Sequence, residues 1–210
     1  NLEGSPVSLS NLIVDKLNII GIIPIKGLPT IFKKKNLLIE SIKYLKSCEL
    51  ISDVYVSTDN EDTAKTAKDN GALVPFIRPS ELSAESVSLP NVLEYTIEKI
   101  EKIRNVDLVV IVEENYPFRP KGLIARLINS IIEGGYDTVC ASIVEQRSIW
   151  LDSQDKIQAI GDSKMAPRTL KPEKIHINLF GLGAVTYVDN IRKNSILTNR
   201  VGLSPVPSYP

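Results

Sequence analysis

The sequence predicts an α/β fold in three layers, with helices on both faces of a mostly parallel central sheet and a small appendage. Three observations carry that expectation. Short runs rich in Ile and Val alternate with segments of helical periodicity, which is the signature of right-handed strand–helix–strand crossovers. The run VDLVVIV at residues 106–112 is continuous rather than alternating, as a strand buried on both faces must be. Past Val144 the alternation changes, and this sets off an appendage at about residues 150–171.

Residues 1–17 are polar and turn-rich at first and read as a tail or linker, leaving residues 18–210 as one domain. A first strand at 18–25 breaks at Pro24 into a lysine-rich loop, and a helix at 37–48 follows with Leu38, Ile42 and Leu45 on one stripe. The unit then repeats. A strand at 54–57 leads to Asn60 as helix cap, Ala64 and Ala67 as a small apolar face, and Gly71 as the stop. Another strand is expected at 72–77. Pro90 opens a helix with Leu93, Ile97 and Ile100 on one face, and the central strand at 106–112 follows. A helix at 120–133, stopped by Gly134 and Gly135, leads to a strand at 137–143. The appendage reads as a short hairpin and an irregular loop. Strands at 175–187 and 201–206 then flank a short helix near 188–193.

With 210 residues and 43% hydrophobic composition, the chain can bury a substantial core as a single domain. Lys+Arg 25 against Asp+Glu 25 gives a net charge of +0, so no global field steers it onto nucleic acid or an anionic membrane. An anion site must therefore be local. Cys48 and Cys140 lack metal-type spacing and read as buried free thiols, in keeping with a reducing compartment. No apolar run approaches the roughly 18 residues of a membrane span. The expected compartment is the cytoplasm, although a chain that starts at Asn1 leaves a removed leader open.

In an open α/β sheet, ligands bind beyond the carboxyl ends of the strands where the strand order reverses, and three loops should meet there. The first carries Lys26, Gly27, Lys33, Lys34 and Lys35 and runs into a helix N-terminus, a setting of backbone donors and ammonium groups that suits a polyphosphate. It has neither the Walker A nor the GxGxxG pattern, and a merely solvated charge run is the competing explanation. The second places Arg78 directly after a strand and before Pro79; its planar fork suits a base carbonyl or phosphate, or else pairs with Glu81 or Glu85 to fix the loop. The third holds Glu113 and Glu114, oxygen donors that suit Mg²⁺, of which at most one should face the site on an extended chain. A solvated acidic turn is the alternative. Asp59 is expected to cap the following helix, with contact to a ligand as the alternative, and the single His176 to be structural.

The segments IIPIKGLPTIFKKKN, VYVSTDNEDTAKTAKDNGALVPFIRPSELSAES and VVIVEENYPFRP, in that order, resemble the cytidylyltransferases that make CMP-sialic acid and their relatives acting on similar nine-carbon sugar acids. The resemblance implies a Rossmann-like nucleotidyltransferase fold and a reaction between CTP and a nonulosonic sugar acid, with Mg²⁺ as cofactor and pyrophosphate as product. It also implies a homodimer built through the appendage. Against the family motif ARxxSKGxxxKN, Lys26 and Lys35 fall at the positions that face the triphosphate, and Gly27 and Asn36 at positions that hold the nucleotide. Arg78 and Ser88 match the RPxEL loop that contacts cytosine. Arg119 keeps the arginine of QPTSPLR, and Arg168 echoes an arginine near the sugar acid; both are implied to bind substrate.

The departures are equally specific. Pro29 and Thr30 stand where the family has Ser and Lys, and Glu113-Glu114-Asn115-Tyr116 replaces the polar start of QPTSPLR. The acidic metal-binding segment of the family is expected beyond Pro210. Two other readings therefore stand beside the enzyme: a degenerate domain that binds nucleotide or a partner without turnover, and a nucleotidyltransferase for a different sugar with Glu113 or Glu114 as metal ligand.

Overall fold

The computed structural model describes residues 17–153, 156–160, 175–197 and 200–207. Its first strand, β1 (Ile19–Ile25), shows why a central parallel strand reads as an unbroken apolar run: Ile19, Ile23 and Ile25 enter one core, and Ile20 and Ile22 enter a second core on the opposite face. The first core is completed by three helices, α1 (Leu37–Lys46), α2 (Glu61–Asp69) and α4 (Leu123–Gly134). Leu38, Ile42, Leu45, Ala64, Ala67, Leu127 and Ile131 are their buried contributions. The second core is completed by α3 (Leu89–Glu101) through Leu93, Ile97 and Ile100, and by α5 (Val188–Arg192) through Val188 and Ile191. The expected three layers follow directly from this division.

The remaining strands of the main sheet are β4 (Asp53–Thr58), β5 (Leu108–Ile111), β6 (Thr138–Glu145), β9 (Ile175–Asn178), β10 (Ala184–Tyr187) and β11 (Val201–Pro205), in the order β11–β6–β10–β5–β1–β4 with β9 also on β6. β4, β1 and β5 are mutually parallel, as are β6 and β11, and only β9 and β10 run against their neighbours. From β1 the chain moves outward to β4 and then crosses back to β5 on the other side. The strand order thus reverses between β1 and β5, the place where open α/β sheets generally offer a crevice to ligands.

Three expectations change in the structure. The strand at 72–77 reduces to a single bridge, Leu73 to Tyr55, because Pro75 has no N–H to continue a ladder. The helix expected from 120 begins at Leu123, after Gly122 in a left-handed conformation at φ 71°. The single strand at 175–187 is two strands on the same edge of β6. Leu179 donates to the Ala141 carbonyl and Ala141 to the Gly183 carbonyl, each at 2.8 Å, so the short 3₁₀ turn Phe180–Leu182 is inserted opposite one residue and pushed out of the ladder.

The appendage contains the expected hairpin, β7 (Ile149–Ser153) paired with β8 (Lys156–Ile160). Arg168 and the tail at 1–16 lie outside the described residues. Among the described residues no helix is long and apolar enough to cross a membrane. Both cysteines are free, with Cys140 buried and Cys48 half-buried.

Candidate functional site

Two adjoining clefts open at the carboxyl ends of the strands. The first, about 420 Å³, lies between the loop after β1, the segment 78–92 that follows the Leu73 bridge and the loop after β5, with Lys26, Thr30, Arg78, Glu113, Glu114 and Asn115 on its walls. The second, about 660 Å³, lies beyond β5, β6 and β11 and shares Asn115 with the first.

The loop after β1 is held from two sides. Gly27 takes φ +67°, a conformation that L side chains rarely adopt, and its N–H donates to Asp59 Oδ1 at 2.8 Å. Its carbonyl accepts from Thr63 Oγ1 at 2.7 Å on α2. Beyond Thr30 the chain forms a small hairpin, β2 (Ile31–Phe32) with β3 (Lys35–Asn36), whose two-residue tip is Lys33-Lys34 with both φ values positive. Asn36 caps α1, its side chain accepting from the N–H groups of Leu38 and Ile39. Lys26 is exposed at the first cleft, whereas Lys35 lines neither cleft, its ammonium lying 3.7 Å from Glu40.

Arg78 is only 4% exposed and forms part of the cleft floor. Its Nε donates to the Ser83 hydroxyl at 3.0 Å, Nη1 to the Ser57 carbonyl at 3.1 Å and Nη2 to the Ile25 carbonyl at 3.2 Å. The guanidinium therefore ties the ends of β1 and β4 to the loop that follows, rather than pairing with Glu81 or Glu85. Burial lowers its pKa, and the charge of Asp59 opposes that shift. Asp59 is the group the sequence placed elsewhere. Asn60 caps α2 as expected, accepting from the Thr63 N–H at 2.9 Å, and Asp59 does not share that role but accepts from the Gly27 amide. Burial works against ionisation of Asp59, yet the Gly27 N–H, the Ser83 hydroxyl and the Arg78 charge together hold its pKa below the ordinary value. Ser88 is exposed and caps α3.

The loop after β5 turns at Glu114-Asn115 instead of continuing extended, so both Glu113 and Glu114 reach the cleft wall, where the extended-chain reading brings only one. Glu114 accepts from the Thr30 N–H and hydroxyl across the cleft mouth. Glu113 is half-buried, and burial raises its pKa against the opposing effects of Asn115 and Arg119. Arg119 lines neither cleft. It turns inward, donating to the carbonyls of Glu113, Gly181 and Leu182 and to the Ser41 hydroxyl, and desolvation draws its pKa down to about 10. It thus pins the displaced turn Phe180–Leu182 beneath Glu113.

The second cleft is walled by Tyr116, Phe118, Ile143, Leu179 and Val206, with polar groups at Asn115, Gln146, Glu145 and Arg147. Here Arg147 is engaged by Glu145, whose carboxylate accepts from Arg147 Nε at 2.9 Å and is held down at about 2 by that partner. His176 shares a hydrogen bond with the Ser142 hydroxyl at 3.1 Å on β6.

The structure thus brings Lys26, Arg78, Glu113 and Glu114 to one cleft, with Gly27 positioning the loop. It assigns Asn36 and Ser88 to helix caps and Arg119 to the scaffold beneath. Among the described residues no three His, Cys, Asp or Glu side chains gather as a ready metal cage. Mg²⁺ needs only one or two carboxylates when phosphates and water complete its shell, and the Glu113 carboxyl fits that donor set.

Residues 23–166 match the profile of the cytidylyltransferase family. No curated protein matches the sequence. Among solved structures, 4-diphosphocytidyl-2C-methyl-D-erythritol synthase from Anaerococcus prevotii superposes with a TM-score of 0.65 at 12% identity, over 93% of this chain and 89% of that one. CMP:2-keto-3-deoxy-manno-octonic acid synthetase complexed with CTP gives a TM-score of 0.60 at 11% identity, over 90% of each chain. At such identities the superpositions establish the α/β nucleotidyltransferase fold, and the profile, which spans well over half of the sequence, establishes that the chain belongs to the cytidylyltransferase family.

Proposed function

We propose that the protein transfers CMP from CTP to a sialic-type, nonulosonic sugar acid and releases pyrophosphate. The observation that carries this reading is the pair of clefts meeting at Asn115, one beside the cationic loop at the strand-order reversal and one large enough for a sugar. The acceptor hydroxyl would attack the α-phosphate of CTP as the bond to the β-phosphate oxygen breaks. Little of this requires covalent chemistry from the protein; positioning and neutralisation of phosphate charge carry it. Lys26 would face the triphosphate, and the floor set by Arg78 would fix where the nucleotide sits. Lys35 would have to leave Glu40 to take part, an exposed contact that costs little to break. Mg²⁺, held by Glu113 and the phosphates, would supply further charge neutralisation.

The broader support is family membership and the likeness to a synthetase that was solved with CTP. The nine-carbon acceptor rests on the sequence resemblance. Pyrophosphate release measured with CTP, ATP, GTP and UTP against a panel of nonulosonic acids tests the whole reading. Turnover with CTP and at least one of them is expected, and no preference for CTP sinks it.

One observation favours a different acceptor. Arg147, the cation of the second cleft, is already paired with Glu145, and most of the wall is apolar. Including the acceptors named for the two structural neighbours in the same panel separates the cases. Binding of CTP with no turnover of any acceptor supports the degenerate reading. We also propose a homodimer formed through the β7–β8 hairpin, where Trp150 is 59% and Ile157 64% exposed; a monomeric mass in light scattering contradicts it.

A further inference from the structure

We propose that the N–H and hydroxyl of Thr30 form a subsite for a phosphoryl oxygen of a nucleotide polyphosphate, and that the Glu114 carboxylate plugs this subsite in the free protein. The inference rests on the first cleft being the nucleotide site.

The geometry is that of a bound oxyanion. Thr30 N–H lies 3.0 and 3.2 Å from the two carboxylate oxygens of Glu114, and Thr30 Oγ1 lies 2.9 Å from Oε1. A phosphoryl oxygen presents the same kind of acceptor at the same distances to the same donors. The donors are aimed by the fold: the Thr30 carbonyl accepts from the Leu37 N–H at 3.0 Å, which anchors the far side of the residue to the start of α1 and leaves its amide facing Glu114.

Charge makes the arrangement a plug rather than a permanent strut. Among the described residues Glu114 forms no ion pair with a Lys or Arg, although Lys26 borders the same cleft. The carboxylate therefore rests on neutral donors alone. A polyphosphate that enters while Glu114 is in place meets two carboxylates, Glu113 and Glu114, on one wall of a partly desolvated cleft. Swinging Glu114 away removes one of those charges and exposes two donors at once. A ligand with differential affinity for these two arrangements shifts the population between them.

Binding of CTP and of inorganic pyrophosphate is measured by calorimetry, first with Mg²⁺ on the unaltered protein and then without divalent metal on the unaltered protein and three variants. Glu114→Ala should bind both ligands about tenfold more tightly than the unaltered protein without metal, since the competing carboxylate is gone. Glu114→Gln, whose amide oxygen still accepts from Thr30, should gain clearly less. Adding Thr30→Val to Glu114→Ala should remove most of the gain, because the hydroxyl donor is lost. A Glu114→Ala protein that binds no more tightly, or a Glu114→Gln gain equal to that of Glu114→Ala, overturns the plug. If the unaltered protein binds neither ligand even with Mg²⁺, the nucleotide reading of the cleft fails instead.

Discussion

The Nε of Arg78 donates to the hydroxyl of Ser83 at 3.0 Å, five residues further along the chain, and Ser83 in turn hydrogen-bonds to Asp59. Together with the Gly27 amide, this chain of bonds links the loops after β1 and β4 to the one that follows, so the cleft floor is a network rather than a set of separate contacts.

Replacing Arg78 by Lys should break that network while keeping its charge. A single ammonium cannot reach Ser83, Ser57 and Ile25 together, as the planar fork does. The expected cost is about 2 kcal/mol in urea denaturation, with CTP affinity falling in parallel. Stability within about 0.5 kcal/mol of the unaltered protein would show that the fork is dispensable.

Asp59 should leave a mark on the acid side of the stability profile. Its folded pKa lies below its unfolded value, so the stability it contributes is present above about pH 4 and is lost as pH falls through the lowered folded value. Asp59→Asn should cost about 1 kcal/mol at pH 7, and the difference from the unaltered protein should shrink as the pH drops toward 3. Urea midpoints across that range are the measurement. A difference that does not change with pH argues against an ionised Asp59 in the network.

These contacts mark the limit of what the sequence shows. Ile19–Ile25 and the apolar stripes of α1 and α3 were legible because burial on both faces, or on one helical face, leaves a pattern along the chain itself. The Phe180–Leu182 turn was not, since the apolar residues around it read as one continuous strand and its reason for existing, Arg119, is 62 residues away from Gly181. The same holds for Thr30 and Glu114, which meet across 84 residues. That Arg78 borders the cleft was legible but not its direction; an arginine after a strand can point into a cleft or beneath it, and only the carbonyls of Ile25 and Ser57 decide.

Gly181→Ala should disturb both clefts at once. A Cβ at this position would lie 2.5 Å from Tyr116 Cε2 and 2.6 Å from Glu113 Cδ, so the added methyl must push apart residues that border the second and the first cleft. Overpacking of this kind costs about 1–3 kcal/mol. Pyrophosphate release should fall at least about tenfold, with circular dichroism unchanged. Full activity in the alanine variant would show that the Glu113–Tyr116 wall tolerates displacement.

The Lys33-Lys34 tip offers a test that separates stability from function. Both residues hold positive φ, 46° and 65°, in a two-residue hairpin that favours Asn-Gly, and each pays about 1 kcal/mol or more in strain. The hairpin is nonetheless held in place: Phe32 meets Phe118 edge-on with ring centroids 6.0 Å apart, and Lys33 sits 5.5 Å from the Phe32 ring. Lys33 and Lys34 line neither cleft, but they sit on the loop whose Thr30 borders the first, and long-range attraction of a nucleotide polyphosphate would be a reason to keep the strain. Substituting Asn-Gly should therefore raise the urea midpoint while weakening CTP binding about fivefold at low salt, a loss that fades as salt screens the lysines in the unaltered protein. If stability rises and affinity does not change, the lysines are a solvated charge run, and the work of attracting the triphosphate falls to Lys26.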